Sequence, residues 1–279
     1  MKKYSVGFVG YGNMAQAITY ALSSDISNRM LKSFGYKIKI AVSDPDVEKL
    51  KTAPERFART TDNKSLIEAC DIIFLAVKPQ VAKSVLEGLD FTNKIVFSIM
   101  ASVPICVINN LTENKAKAIV RVMPNLNARV GASYTTFCTN GDEEIIRIAV
   151  ALLSSFGQVK QIREEQMNIS TGISGSGPAF VFKFINAFYK NAVKNGINKK
   201  TALEMALGTI IGSVNTVYAR IDNDDVVLDE LVDSVCSKGG TTIQGVNYLD
   251  ESNFEDVVST AIDKAIARAE EMSNEHKNG

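Results

Sequence analysis

Histidine is nearly missing from this chain: its 279 residues hold one, His276, close to the end. A mechanism needing an imidazole base would have to recruit a polar tail expected to fray. Ser-His and Cys-His hydrolases are therefore set aside. Paired cysteines are missing too. Cys70, Cys106, Cys138 and Cys236 are scattered with no C-x-x-C, which argues against a zinc site or disulfide framework. They read as buried or semi-buried free thiols, and no metal is expected. Net charge is absent, 31 basic against 31 acidic residues, so no global field favours nucleic acid or an anionic membrane. No run reaches the roughly 18 consecutive apolar residues of a membrane helix. Met1-Lys2-Lys3-Tyr4 leads straight into a strand-like run, without the longer apolar core and cleavage site of a signal peptide. The expectation is a cytoplasmic protein.

What is present is ordinary in amount and regular in order. The apolar fraction is 46% and the charged fraction 22%, normal for a globular protein. Nearly continuous apolar runs recur at 4–10, 37–43, 71–77, 94–100 and 116–123. Runs of that kind suit a parallel sheet covered on both faces. Helical patterns at 14–24, 46–52 and 79–89 lie between them, giving the rhythm of a doubly wound α/β fold. Residues 132–139 and 157–162 look like later edge strands flanking a helix at 142–155. After about 163 the strands stop, and helices are expected at 164–172, 178–195, 199–220, 226–234, 241–250 and 254–275. The third of these, with "ALEMALGTIIGSVNTV", is apolar nearly all round and must be buried in a core or between subunits. The reading is a dinucleotide-binding domain at 1–163 and an all-helical domain at 164–279 that intertwines two chains. The closing "EEMSNEHKNG" reads as mobile.

"VGFVGYGNMAQAI" ends a strand and opens a helix, and Gly10-x-Gly12-x-x-Ala15 fits the dinucleotide fingerprint. Gly10 permits the turn, Gly12 lets backbone approach a pyrophosphate, and Ala15 lets the helix pack closely. The end of the second strand, "VSDPD", leaves the cofactor open between NAD and NADP. Ser43 suits a 2′-phosphate; Asp44 suits a free ribose, or caps a helix starting at Pro45. Lys49 and Lys64, the latter beside Asn63, are the nearest basic groups. Lys78, at a strand's carboxyl end, points toward the cofactor crevice.

"GFVGYGNMAQAI", "LAVKPQ", "VRVMPN", "GISGSGPAF" and "KGGTTIQG" together resemble pyrroline-5-carboxylate reductases in order and spacing, over almost the whole chain. The specific part is "SGSGPAF" followed about sixty residues later by "GGTTI". The resemblance implies NAD(P)H-dependent reduction of 1-pyrroline-5-carboxylate to L-proline. It also implies a Rossmann-type domain followed by a helical dimerisation domain, as a homodimer or a higher oligomer. It assigns cofactor contacts to Gly10, Gly12, Asn13, Met14, Ser43, Asn63, Ala76, Val77 and Lys78, with Asp44 added here, and places Ala101 near the nicotinamide. Substrate contacts fall at Ser237, Lys238, Gly239, Gly240, Thr241 and Thr242. Departures from the family pattern stand at Asp44-Pro45 (for Asn-Arg), Met100-Ala101-Ser102 (for Ala-Ala-Gly), Leu126-Asn127 (for Thr-Pro) and Lys238 (for Pro).

A protonated cyclic imine reaches an enzyme already activated, so no strong side-chain base is required. The N–H groups of Gly239, Gly240 and Thr241 are expected to converge on the carboxylate, with the Thr242 hydroxyl on the ring nitrogen. Thr171 or Ser176 either donates a hydrogen bond in the pocket wall, or Ser176 simply caps the helix that Pro178 opens. Two rivals remain. A β-hydroxyacid dehydrogenase would match Gly172, Gly175 and Gly177, but its lysine position holds Val181, with Lys183 and Asn186 out of phase. A non-catalytic dinucleotide-binding regulator would keep the fold alone.

Overall fold

The structure, a computed structural model, describes residues 1–220 and 228–278. β1 (Lys2–Val9) leads into α1 (Asn13–Leu22) and α2 (Asp25–Ser33), and β2 (Tyr36–Ser43) into α3 (Val47–Lys51). β3 (Ala58–Thr60) leads into α4 (Asn63–Ala69), β4 (Ile72–Leu75) into α5 (Pro79–Leu86), and β5 (Ile95–Ser98) into α6 (Ile105–Leu111). β6 (Ala118–Met123) and a short 3-10 turn precede β7 (Ser133–Thr139), α7 (Glu143–Leu153) and β8 (Gly157–Gln161). The rest is helical: α8 (Met167–Ser170), α9 (Gly177–Lys194), α10 (Lys199–Tyr218), α11 (Leu228–Val235), α12 (Thr241–Glu251) and α13 (Phe254–Asn278). The first two residues of the helix expected at 226–234 lie outside the described residues.

The strands form one sheet in the order β3-β2-β1-β4-β5-β6-β7-β8, parallel except where β7 runs antiparallel to β6. β7 was expected at an edge and is interior instead, because β8 pairs with it in parallel from Ser133↔Gly157 to Phe137↔Gln161. β3 and the helices α2, α4 and α6 were not anticipated; β3 is only three residues long and carries no apolar run.

The strand sequences alternate between two buried faces. In β4, Ile72 and Phe74 join one core cluster while Ile73 and Leu75 join the other. Phe8, Phe74 and Phe97 stand in register on β1, β4 and β5. Their rings stack at 4.5 and 4.8 Å between centroids, and none is exposed. Such pairs contribute about 0.5–1.5 kcal/mol each beyond the area they bury.

By packing, one compact unit comprises Met1–Pro178 with the chain from Asp263 onward, and the other comprises Ala179–Ile262. Residues 164–178, helical in character, are stitched to the sheet by polar side chains. Buried Arg121 on β6 pairs with Glu164 at 3.4 Å and donates to Asn168 Oδ1 at 3.0 Å. Glu164 Oε1 also accepts the Ile105 N–H at 2.7 Å. Thr136 and Ser170 share a 2.7 Å hydroxyl pair, and Ser174 donates to Tyr134 O at 2.6 Å. α8 widens into a π-helical turn over Thr171–Gly175. At the chain's tail α13 continues to Asn278, and Ser273 is buried in the first unit. His276 lines a groove with α5 and α6 side chains, including Lys83 and Asn110.

Within the second unit, Ala202 and Ala206 are the buried side chains among the described residues. Phe184 packs against Phe188 at 4.9 Å with the rings tilted by 55°, yet both stay about two-fifths exposed. On α10, Met205, Ile211, Val214 and Tyr218 are exposed. The expected burial of this all-apolar helix is therefore not met within one chain. Among the described residues no helix is long and apolar enough to cross a membrane.

Thiol environments divide. Burial pushes the Cys70 thiol up to about 11 and that of Cys138 up to about 12, whereas Cys106 is exposed rather than buried as expected. α6 turns Ile108 inward and leaves Cys106 on its outer side.

Gly157 has φ 146°, and a Cβ there would lie 1.9 Å from Ser133 O in the paired strand. Gly157→Ala is expected to cost about 2–4 kcal/mol. It should lower the urea midpoint without changing the denaturant slope. An unchanged midpoint would show that β7 and β8 can part without loss.

Candidate active site

The glycine loop joins β1 to α1 at the centre of the sheet. Gly10 adopts φ 93°, and a Cβ there would meet Ala76 O at 2.8 Å and Val77 Cγ1 at 3.1 Å. The loop and the Ala76–Lys78 segment are therefore in direct contact at the carboxyl ends of β1 and β4. Gly12 caps α1 with no side-chain hydrogen bond, and α1 has no acid in its first turn. A Cβ on Gly12 would meet nothing within 4 Å. The uncapped N–H groups of α1 thus open onto free space, which fits a pyrophosphate. Asn13 is exposed, Met14, Ala76 and Val77 are half-buried, and Lys78 is exposed as the residue before α5.

Asp44 is 5% exposed and holds this loop in place. One carboxylate oxygen accepts the Tyr11 N–H at 2.9 Å; the other accepts the Asp46 N–H at 3.0 Å and Lys49 Nζ at 3.3 Å. Burial alone would raise its pKa. The Tyr11 and Asp46 donors, with Lys49, outweigh burial and hold it below the ordinary carboxylate value. Asp44 is not the helix cap considered from sequence; that role belongs to Asp46, whose side chain accepts the Glu48 N–H to start α3. The Tyr11 partner is a backbone group, which leaves no trace in the sequence.

Ser43 requires a correction. It is fully buried, and its hydroxyl donates to Asn63 Oδ1 at 2.6 Å. It presents no surface to a 2′-phosphate and acts by fixing Asn63, the first residue of α4. Lys64 is exposed beside it.

In the second unit, Ser237–Gly240 forms a turn. Gly240 N–H donates to Ser237 O at 2.9 Å, and Gly239 takes φ 72°. Gly240 N–H is thereby committed and drops out of the expected anion donors. A Cβ on Gly240 would lie 2.2 Å from Ser237 Oγ and 3.1 Å from Ser237 O, so a side chain there would require the Ser237 hydroxyl to turn aside. Lys238 is exposed at the second position of the turn, where proline is otherwise favoured. Gly240 then caps α12 without a side-chain hydrogen bond, and no acid lies in the first turn. The N–H groups of Thr241, Thr242 and Ile243 have no acceptor in their own helix. Thr241 is exposed and Thr242 half-buried.

Thr171 and Ser176 flank the π turn of the first unit. The Thr171 hydroxyl donates to Met167 O at 2.8 Å, so it is not the free donor expected. Ser176 N–H closes the turn on Thr171 O at 2.9 Å, and its φ −85°, ψ −27° is helical, which excludes the N-cap alternative. Asn125 Nδ2 donates to Ser174 O at 3.0 Å, and Met123 Cε lies 2.3 Å from where a Gly175 Cβ would stand. The "VMPN" motif therefore braces the "GISGSG" motif. Ala101 is half-buried in the turn after β5, beside Ser102. Among the described residues no group of His, Cys, Asp or Glu is arranged to hold a metal.

Two outcomes follow. Gly12→Ala should leave the thermal midpoint within about 1–2 °C of wild type yet weaken dinucleotide binding about tenfold or more, the scale of one lost charge-assisted hydrogen bond. Calorimetric titration alongside a melt separates the two. For Asp44, a depressed folded pKa means its stabilisation is present above the ordinary carboxylate range and is lost as pH falls through the folded value. Asp44→Asn should cost about 1–3 kcal/mol at pH 7. The gap from wild type should close below about pH 4. A gap independent of pH would remove the carboxylate's charge from the account.

Comparison with known proteins agrees with this arrangement. Residues 164–272 match the family model described as pyrroline-5-carboxylate reductase dimerisation, and residues 5–102 match the one described as NADP oxidoreductase coenzyme F420-dependent. The pyrroline-5-carboxylate reductase of Aquifex aeolicus is 36% identical over 271 residues, covering 96% of this chain and 97% of the relative. That of Haemophilus influenzae is 34% identical over 281 residues, covering 98% of each. The crystal structure of the Plasmodium falciparum pyrroline carboxylate reductase, with NADP bound, superposes with a TM-score of 0.82 at 29% identity, covering 97% of this chain and 98% of that one. With both motif-bearing segments matched end to end, the chain belongs to the pyrroline-5-carboxylate reductase family.

Proposed function

We infer that this chain reduces 1-pyrroline-5-carboxylate to L-proline, the last step of proline biosynthesis, using NADPH. Family membership carries the activity. The observation that carries the site is the N-terminus of α12, glycine-capped and free of acids, after a turn in which Gly239 takes φ 72°.

The bound dinucleotide supplies the hydride. The chain's residues bind and orient. The N–H groups of Thr241, Thr242 and Ile243 hold the substrate carboxylate, and the Thr242 hydroxyl meets the ring nitrogen. Ser237 shapes the turn, and Lys238 adds positive charge at its rim. An anion at a helix N-terminus gains about 0.3–1 kcal/mol, up to about 2 in sheltered geometry. Correct placement can remove roughly 7–11 kcal/mol of barrier. The carboxylate contact therefore matters chiefly as a handle for placement. No base is needed, which suits a chain whose single histidine lies in α13. In the first unit, Gly10, Gly12, Asn13 and Met14 receive the phosphates, and Ala76–Lys78 and Ala101 line the crevice. Asp44 and Lys49 stand where the adenosine ribose is read.

The protein works as a homodimer. The second unit matches a dimerisation model and leaves its apolar helix faces uncovered in one chain.

The direct test assays NADPH oxidation with pyrroline-5-carboxylate and with a 3-hydroxy acid under NADP. Turnover of the hydroxy acid alone would overturn the reading. Thr242→Val should lower kcat about 10–100-fold while KM changes little, as expected for a contact that strengthens in the transition state. A rise in KM with kcat intact would make Thr242 a substrate anchor only.

A further inference from the structure

With Ser43 sealed beneath Asn63, the end of β2 lacks the hydroxyl expected to meet a 2′-phosphate. Proline follows Asp44, so the arginine that an NADP site offers near this point is missing as well. An acid stands there instead, and an ionised carboxylate facing a phosphate would repel it. Asp44, however, is turned inward. It is 5% exposed, and its oxygens are taken by the Tyr11 and Asp46 N–H groups and by Lys49 Nζ.

The cations nearby differ in what already holds them. Lys51 pairs with Glu48 at 2.6 Å, Arg56 donates to Ser23 O at 2.7 Å, and Arg59 donates to Ala53 O at 2.6 Å. Lys64 is exposed, with its backbone N–H taken by the Asp62 side chain that caps α4. Lys49 alone is tied to the glycine loop. Its side chain is 46% exposed, and its Nζ stands 3.3 Å from one Asp44 oxygen while the other holds the Tyr11 N–H. One carboxylate therefore separates this ammonium from the turn that opens α1. Asp46 Oδ2 is 4.0 Å away, and Asp46 Oδ1 is occupied by the Glu48 N–H. Ion pairs this exposed hold weakly, so Lys49 is kept near the end of β2 yet is free to turn to a stronger anion. On the other flank, Asn63 Oδ1 accepts the Ser43 hydroxyl, which leaves the amide nitrogen as the end that can meet a ligand.

We propose that Lys49 is the specificity-determining residue for the 2′-phosphate, reaching it from α3 in place of the missing arginine and leaving Asp44 as it does so. Asp44 keeps its two N–H donors in both states, so the glycine loop stays fixed while the ammonium changes partner. The proposal rests on the NADPH reading given above.

The experiment compares wild type with Lys49→Met, Lys49→Arg and Lys64→Met. Binding of NADPH and NADH is followed by fluorescence, binding of adenosine 2′,5′-bisphosphate by calorimetry, and each ligand-free protein is melted. Lys49→Met should bind NADPH and the bisphosphate about 10–100-fold more weakly, the scale of one charge-assisted hydrogen bond. Its NADH affinity should stay within about twofold of wild type and its melting midpoint within about 1–2 °C, because the tie to Asp44 is an exposed one. Lys49→Arg should bind both phosphate-bearing ligands at least as tightly as wild type. Lys64→Met should bind all three as wild type does. Bisphosphate affinity unchanged in Lys49→Met overturns the proposal, as does finding the loss in Lys64→Met instead. Equal weakening of NADH and NADPH overturns it too, since Lys49 would then act only by supporting the glycine loop through Asp44. Wild-type protein that binds NADH but not NADPH overturns the choice of cofactor along with it, and protein that binds neither overturns the dinucleotide reading as well.

Discussion

The stack of Phe8, Phe74 and Phe97 fixes where three central strands stand relative to one another, and the dinucleotide crevice depends on that alignment. A slip of one residue in a parallel pair would turn each ring to the opposite face. Held in register, β1, β4 and β5 end close together, and the loops that follow them meet. Gly10 against Ala76 is the visible result: there is no room between them for a methyl group. The aromatic core is fully buried, yet it determines which backbone groups face the crevice.

Polar contacts then do what apolar packing cannot, which is to select one conformation for each loop. Asp44 is buried because its oxygens are occupied by donors that fix the glycine turn. Arg121 is buried because Glu164 and Asn168 receive it, and Glu164 also accepts the first N–H of α6. Both groups repay the cost of burial through several partners at once. They act at different places, the first on the glycine loop and the second on the segment leading to the π turn.

Much of this was legible in the sequence, for physical reasons. Buried parallel strands need unbroken apolar runs, so β1, β2, β4, β5 and β6 stood out. β3, with the sequence Ala-Arg-Thr, is an edge strand with nothing to bury and gave no signal. The glycine fingerprint and "SKGGTT" were visible because tight turns tolerate few residue types. Partners on the backbone were not visible. Asp44 was weighed as a ribose ligand or a cap, whereas it binds the Tyr11 N–H, and Ser43 was taken for a phosphate ligand although it is sealed beneath Asn63. Thr171 was a candidate donor until its back-bond to Met167 O appeared. Side-chain type is written in the sequence, but the partner that occupies it is set by packing.

The second unit has the least burial of any part described. A pair of buried alanines cannot hold several helices together, so the apolar faces of α9 and α10 need another copy to cover them. The population of paired chains must then rise with the square of chain concentration at low abundance. A cell that makes too little of this protein loses the paired form faster than it loses protein. Dilution becomes, in effect, an inhibitor acting on the pairing of chains rather than on the chemistry.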